Sequence, residues 1–312
     1  MAKILITGGM GFIGSHIADQ AIERGDEVFL FDNGSTGHQA NIISALSKGA
    51  KLIPGDILDR VALLEACQGM KSVFHLAARI SVAESMEKPL EYIRTNAEGS
   101  INILEACRQA GVKNIVLSSS AAVYGDNPIV PKTEDMIPEP KSPYAVTKLD
   151  GEYYFRMYRK EHGINAVSLR YFNVFGERQD PKSAYAAAVP IFIHKALKGE
   201  EITIFGDGEQ TRDFIYVRDI AQANLLAADK GSNSQLDNFN VCWGSKITIN
   251  DLAKTIIEIT GSASKIIHLA ERPGDIKHSM GSNQRIVKEL GFKASASLRE
   301  GMERTIGYFT SN

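Results

Sequence analysis

The segment Thr7-Gly8-Gly9-Met10-Gly11-Phe12-Ile13-Gly14 constrains this chain more than any other. Gly8, Gly11 and Gly14 fall where an apolar run, Lys3–Gly8, ends and an amphipathic stretch from Phe12 to Arg24 begins. Glycine at such a strand-to-helix turn permits a tight bend. It also lets backbone N–H groups close on a pyrophosphate at the helix N-terminus. Alone, the spacing fits an ordinary turn whose glycines serve packing. A second apolar run, Val28–Asp32, adds weight, because it ends in an acid eighteen residues beyond Gly14. An acid so placed accepts from a ribose 2′-hydroxyl and repels a 2′-phosphate, which favours NAD over NADP.

Further short apolar runs follow at Lys51–Asp56, Ser72–Ala78 and Asn114–Ser120. The runs VFLF, VFHLAA and NIVLSSS read as strands buried on both faces. Helical patterns at Arg60–Gln68 and Pro89–Ala110 separate them, which predicts an α/β fold with a doubly wound parallel sheet of Rossmann type. Between Asn127 and Pro143 stand Pro128, Pro131, Pro138, Pro140 and Pro143, so this stretch is expected to be a long ordered loop or flap. Ser142-Pro143 then reads as an N-cap and first helical residue, opening a helix that runs to about His162 and stops at Gly163. Beyond Arg170 the texture becomes mixed. Strands are expected at Ile202–Gly206 and Lys265–Leu269, with helices at Val217–Asp229, Ile249–Thr260 and Leu298–Phe309. The expected division is an NAD-binding Rossmann domain over residues 1–169 and a smaller mixed α/β substrate domain over 170–312, with the chain crossing between them.

A net charge of −2 gives no electrostatic footprint for nucleic acid or an anionic membrane surface. No apolar run reaches the roughly 18–20 residues of a membrane span. The N-terminus lacks a secretory pattern, so a cytoplasmic setting is the default expectation. Cys67, Cys107 and Cys242 form no CxxC pair, and no HExxH occurs, so neither a disulfide framework nor a metal site is expected.

Tyr144 and Lys148 stand at i and i+4 of the expected helix and share a face. A phenol with a solution pKa near 10 is a poor base, and a neighbouring ammonium together with the positive nicotinamide of NAD is expected to lower it. Alone, the pair also fits an ordinary helix surface. Ser118-Ser119-Ser120 ends the fifth strand run, the end of a parallel sheet where ligands bind. There a hydroxyl can hydrogen-bond a substrate hydroxyl, or simply terminate a strand. Asp56, ending the third run, suits either an adenine contact or a turn.

The segments TGGMGFIGSH, FDN, HLAA, SSSAAVYGD, SPYAVTK, LRYFNVFG, GDGEQTRDFIYVRD and RPGD together resemble the extended short-chain dehydrogenase/reductases. Within that group the chain is similar to nucleotide-sugar 4-epimerases of the UDP-glucose/UDP-N-acetylglucosamine type. The resemblance spans Thr7 to Asp275. It implies that Ser120 and Tyr144 touch the sugar 4-hydroxyl with Tyr144 as base, and that Lys148 holds the nicotinamide ribose. It implies an NAD site lined by Gly8, Gly11, Phe12, Ile13, Gly14, Asp32, Asn33, Asp56, Ile57, Leu76, Ala77, Ala78, Asn96, Ser118, Tyr144, Lys148 and Tyr171. It further implies that Asn173, Arg212, Arg272 and Asp275 hold UDP, with Ser81 and Val189 also on the substrate side. Arginine suits a diphosphate because its planar guanidinium pairs bidentately with the oxygens. Some relatives carry a lysine after the fourth strand. Here LAARISVAES places Arg79 nearby, and Ser81 is the candidate substitute.

The implied reaction oxidises C4, turns the 4-keto sugar about its UDP anchor and reduces its other face. Anchoring UDP supplies remote binding energy that retains the intermediate. Related dehydratases place an Asp-Glu pair behind the strand-end Ser/Thr, whereas Ala121 and Ala122 follow Ser120 here. A decarboxylase, a UDP-uronate epimerase, a plain dehydrogenase or a non-catalytic NAD sensor are the other possibilities. The resemblance puts Ser279 beside the sugar's C2 substituent, where a small residue admits an N-acetyl group. It therefore implies UDP-GlcNAc/UDP-GalNAc, with UDP-Glc/UDP-Gal as an additional or alternative pair. It also implies a homodimer through Ser100–Ala110 and Gly151–His162, whose apolar faces equally suit intrachain packing.

Overall fold

Alternating core residues along the apolar runs build one central sheet. The computed structural model describes residues 1–181, 187–271 and 277–311. In chain order the first part comprises β1 (Lys3–Thr7), α1 (Phe12–Glu23), β2 (Glu27–Asp32), α2 (Ile43–Ser47), β3 (Lys51–Pro54), α3 (Arg60–Cys67) and β4 (Ser72–His75). It continues through α4 (Val82–Glu87), α5 (Pro89–Tyr92), α6 (Gly99–Ala110), β5 (Asn114–Ser120), α7 (Pro143–His162) and β6 (Asn165–Tyr171). The sheet order is β11-β6-β5-β4-β1-β2-β3, with β11 at Asn238–Val241, and all pairings are parallel. Ile4 and Ile6 face one core layer, which includes Ile17 and Ala21 of α1. Leu5 faces the other, with Leu63, Ile103 and Phe155 from α3, α6 and α7. This is the doubly wound Rossmann arrangement expected from the strand–helix alternation.

The 89–110 stretch is helical throughout, but a π-turn occupies Ile93–Glu98 between α5 and α6. The Ser142 hydroxyl accepts from Ala145 N at 3.2 Å, and Gly163 ends α7 in the left-handed region. No helix or strand longer than an isolated bridge lies between Asn127 and Ser142, as the four prolines there require.

The remaining elements are β7 (Asn173–Phe175), α8 (Ala188–Leu197), β8 (Ile202–Phe205), β9 (Thr211–Arg212), β10 (Phe214–Tyr216) and α9 (Val217–Lys230), followed after β11 by β12 (Ile247–Thr248), α10 (Ile249–Thr260), β13 (Ile266–Leu269), α11 (Gln284–Leu290) and α12 (Leu298–Ser311). Val189, Ile193, Leu252, Ile256, Met302 and Ile306 form a separate core here. The sheet itself runs across the 169/170 line, because residue 169 lies inside β6 and β11 returns from beyond it. Helix α9 likewise adds Ile220, Ala223 and Ala227 to the first core layer. Phe12 and Ile13, at the start of α1, pack against the second-part core and join the glycine loop to it.

Candidate active site

The glycine loop is closed on itself. Gly8 N donates to Phe31 O at 2.8 Å, and Gly11 N donates to Gly8 O at 3.1 Å. Gly8 has φ +71, and a Cβ there would lie 2.7 Å from Ala77 N; a Cβ on Gly14 would lie 2.3 Å from Gly8 O. The loop therefore has no room for side chains, and the start of α1 meets the end of β1 backbone to backbone. That fits a pyrophosphate approaching the helix N-terminus.

Asp32 stands at the end of β2 as expected. Its carboxylate accepts from Met10 N at 2.9 Å and Gly34 N at 2.8 Å, which fixes it beside the loop with lone pairs to spare for a ribose. Asn33 donates to Asp56 at 3.0 Å, and Asp56 also accepts from Leu58 N. Asp56 therefore serves its turn and is exposed beside the same edge. Ile57 is buried against Gly99, where any Cβ would strike its Cδ1 at 2.5 Å.

Leu76, Ala77 and Ala78 lead away from β4, where His75 is buried. The His75 ring bonds Thr7 Oγ1 at 2.8 Å, and burial, then the charge of Lys148, lowers its pKa to about 3. It is a neutral strut at neutral pH. Asn96 sits in the π-turn, buried. Its amide clasps Arg79 through both backbone groups, N at 2.8 Å and O at 3.0 Å, and donates to Thr147 of α7. The π-turn thus ties α6 to α7. The Arg79 guanidinium is held by Glu91 at 2.7 Å and Glu84 at 3.6 Å, and Ser81 Oγ caps α4 by accepting from Glu84 N.

Ser118, Ser119 and Ser120 end β5 beside the first turns of α7. Lys148 is buried and donates to Ser118 O at 2.7 Å. Burial alone lowers its pKa to about 8. Tyr144 hydrogen-bonds Ser120, and Lys148 Nζ lies 5.9 Å from the Tyr144 ring centroid. The structure thus brings together Ser120, Tyr144 and Lys148 at the carboxyl end of β5. The tuning differs from the sequence expectation in one respect: burial raises the Tyr144 pKa and the Ser120 bond only partly offsets it. Lys148 donates to Ser118 O, and burial is what keeps Tyr144 protonated in the protein alone. Tyr171 is buried, and its hydroxyl bonds Asn224 and Ser118.

On the second side, Asn173 donates from both N and Nδ2 to Asp213 O. Arg212 Nη1 donates to Thr211 O at 2.9 Å. Ser279 N donates to Thr211 O at 3.1 Å, and residues 277–282 form a strap whose first half lies against Thr211 of β9 and whose second half pairs with Lys132. Val189 is fully buried in the second-part core, so its side chain faces the core. Arg272 and Asp275 lie outside the described residues.

Sequence reasoning passed over Asp213, which organises this side. It is fully buried and accepts from Trp243 N, Gly244 N and Gly281 N at 2.9, 3.1 and 3.2 Å. Burial nevertheless raises its pKa to about 7. Because the folded value lies above the unfolded one, its contribution to stability is complete at low pH and is lost as pH rises through about 7. The stability gap between wild type and Asp213→Asn is accordingly expected to narrow between pH 4 and pH 8, read by urea unfolding at each pH. A gap that widens with pH would show that the three N–H bonds to the ionised carboxylate outweigh its burial.

Reasoning from sequence also missed Glu152, one turn beyond Lys148 on the Tyr144 face of α7. That i+4 step was the available signal. Its carboxylate accepts from Ser119 Oγ at 2.5 Å and from Arg170 Nη2 at 2.7 Å.

Among the described residues, no helix is long and apolar enough to cross a membrane, and no group of three His, Cys, Asp or Glu side chains could hold a metal ion.

Known proteins share this arrangement over nearly their whole length. The UDP-glucose 4-epimerase of Mycolicibacterium smegmatis is 35% identical over 310 residues, covering 98% of each chain. The solved UDP-N-acetylglucosamine 4-epimerase from Methanobrevibacter ruminantium M1, in complex with UDP-N-acetylmuramic acid, superposes with a TM-score of 0.93 at 40% identity, covering 99% of this chain and 98% of that one. The UDP-glucose 4-epimerase of Thermotoga maritima, solved with UDP-glucose, gives 0.93 at 39% identity and 99% coverage of both. Residues 4–242, from the first strand through the last strand of the sheet, match the model of the NAD dependent epimerase/dehydratase family, and the chain belongs to that family.

Proposed function

We propose that this chain is an NAD-dependent UDP-hexose 4-epimerase that interconverts UDP-GlcNAc and UDP-GalNAc, and UDP-Glc and UDP-Gal as a second pair. The observation that carries the chemistry is the meeting of Ser120, Tyr144 and Lys148 at the end of β5, with Ala121 and Ala122 where a dehydratase needs carboxylates.

Gly8, Gly11 and Gly14 would hold the pyrophosphate, Asp32 the ribose, and Lys148 with Ser118 the nicotinamide side. When bound, NAD supplies a hydride acceptor that becomes the donor again, and a positive ring charge. Tyr144 removes the C4-hydroxyl proton and later returns one to the same oxygen. Ser120 hydrogen-bonds that oxygen and keeps it within reach of the phenol. Lys148, fixed by Ser118 O, keeps the end of β5 and the start of α7 in register. Asn173 and Arg212, with Arg272 and Asp275, would anchor UDP while the 4-keto sugar turns over.

The preference for N-acetyl sugars rests on Ser279. Its backbone is pinned to Thr211 beside Arg212, and its small side chain leaves room for an acetamido group. In Ser279→Tyr, kcat/KM for UDP-GlcNAc is expected to fall about 100-fold and that for UDP-Glc by less than about fivefold. Equal loss on both substrates would remove Ser279 from the sugar pocket. Epimer formation by the purified protein, followed by proton NMR with each UDP-hexose, tests the activity itself, and net NADH formation would point instead to a dehydrogenase. The reading includes a cytoplasmic setting and a homodimer. Helix α6 turns Ile103, Leu104 and Cys107 into the chain's own core, whereas α7 exposes Tyr153 (53%) and Met157 (47%), which supports contact through α7.

A further inference from the structure

Beneath the serine end of β5 runs a buried polar chain that the chemistry above does not use. It begins at Ser119, whose hydroxyl donates to Glu152 at 2.5 Å. Glu152 receives a two-pronged grip from Arg170 of β6, Nε at 2.9 Å and Nη2 at 2.7 Å, and both side chains are 3% exposed. The free arm of the guanidinium donates to the Tyr124 hydroxyl at 2.8 Å, and its carbon lies 4.9 Å from that ring's centroid. Tyr124 in turn donates to Asn240 Oδ1 of β11 at 2.7 Å. Asn240 donates onward to Lys132 O at 3.0 Å and Ser282 O at 3.4 Å, and its backbone N donates to Glu134. Lys132 N in turn donates to Met280 O at 2.8 Å, and Ser282 N donates to Lys132 O at 2.9 Å. The chain therefore ends on the 127–142 flap and on the strap that carries Ser279.

Most side-chain hydrogen bonds in proteins go to backbone or water. An unbroken run of buried side-chain bonds across β5, α7, β6 and β11 is an uncommon investment, and its geometry is fixed at every joint. Each member has only one arrangement that satisfies it: the carboxylate takes the fork, the phenol accepts once and donates once, and the amide does both. Burial pushes the Tyr124 pKa up to about 12, so the phenol stays a donor throughout the working pH range. Displacing one end therefore leaves a buried group unpaired at the other.

We infer that Tyr124 is a positioning residue that couples the Ser120–Tyr144 end of the site to the flap and strap on its sugar side. In the epimerase reading above, on which the kinetic arm of the test rests, this keeps the strap from drifting while the sugar turns.

Removing Glu152 or Arg170 would strand a buried charge and endanger folding. Tyr124→Phe removes one oxygen and leaves the ring under Arg170. It is expected to lower kcat about tenfold, with KM for the UDP-sugar changed by less than about threefold and bound NAD per chain unchanged. In hydrogen–deuterium exchange, peptides covering 127–142 and 279–282 should exchange about tenfold faster than in wild type, with α1 unaffected. Ser119→Ala, which cuts the chain before Tyr124, should lower kcat without speeding exchange in the strap. Unchanged exchange in the flap and strap of Tyr124→Phe would overturn the coupling, as would a kcat of Tyr124→Phe equal to that of an epimerising wild type. The exchange arm decides the coupling even if no UDP-hexose is turned over, so its failure and that of the epimerase reading remain separate.

Discussion

Tyr144→Phe is expected to lower kcat by about 10²- to 10⁴-fold, about 3–5 kcal/mol of transition-state stabilisation, while NAD stays bound. The substitution deletes only the phenolic oxygen. Lys148 keeps its bond to Ser118 O, and the cap from Ser142 to Ala145 N that starts α7 is untouched. Glycine-loop geometry lies on another strand and is also unaffected. Folding and cofactor retention should therefore match wild type, and the loss should appear in kcat rather than KM. NMR assay of C4 epimer, with NAD released by acid and quantified per chain, checks both halves. Retention of more than about a tenth of wild-type kcat would remove Tyr144 as the base. Because burial holds the phenol above its usual pKa in the protein alone, the proposed base depends on the positive nicotinamide of bound NAD to lower it.

Gly14→Ala should be a strongly damaging single-methyl change. The added carbon would sit 2.3 Å from Gly8 O, a backbone atom of the same closed loop, so neither side can yield without moving β1 or α1. Overpacking of this kind costs about 1–3 kcal/mol, and here the strain falls on the loop that must meet the pyrophosphate. The expected results are a Tm several degrees lower and NAD affinity at least about tenfold weaker, read by thermal unfolding with and without NAD. Gly307→Ala is the control. Gly307 lies within α12 with nothing within 4 Å of its would-be Cβ, so alanine should be neutral or stabilising by up to about 1 kcal/mol. Equal behaviour of the two variants would show that loop closure at Gly14 is unimportant.

What the sequence revealed follows the range of the interactions. The glycine loop, Asp32, the Ser142 cap and the Tyr144/Lys148 pair are local patterns whose spacing carries their meaning, and each sits where that spacing puts it. Strands β6 and β11 carried no such signal. Their apolar residues alternate with Ser168, Arg170, Asn238 and Asn240, all buried, so the runs do not look like central strands. Arg170 and Asn240 are polar because both bond Tyr124 inside the fold, and Tyr124 and Asn240 are 116 positions apart. Asp213 was hidden for the same reason, since its partners at 243, 244 and 281 meet it only after folding. Helical spacing shows that Lys148 is near Tyr144, but not that it bonds Ser118 O or that burial opposes ionisation of the phenol.

The strap at 277–282 is fastened to Thr211 on one side and to Lys132 on the other. A protein engineer who grafts sugar specificity from a relative by exchanging everything after β6 would bring a new strap against the old flap. The natural cassette is discontinuous: residues 127–142 must travel with the carboxy-terminal part, or the recombined chain will have mismatched halves of one clasp.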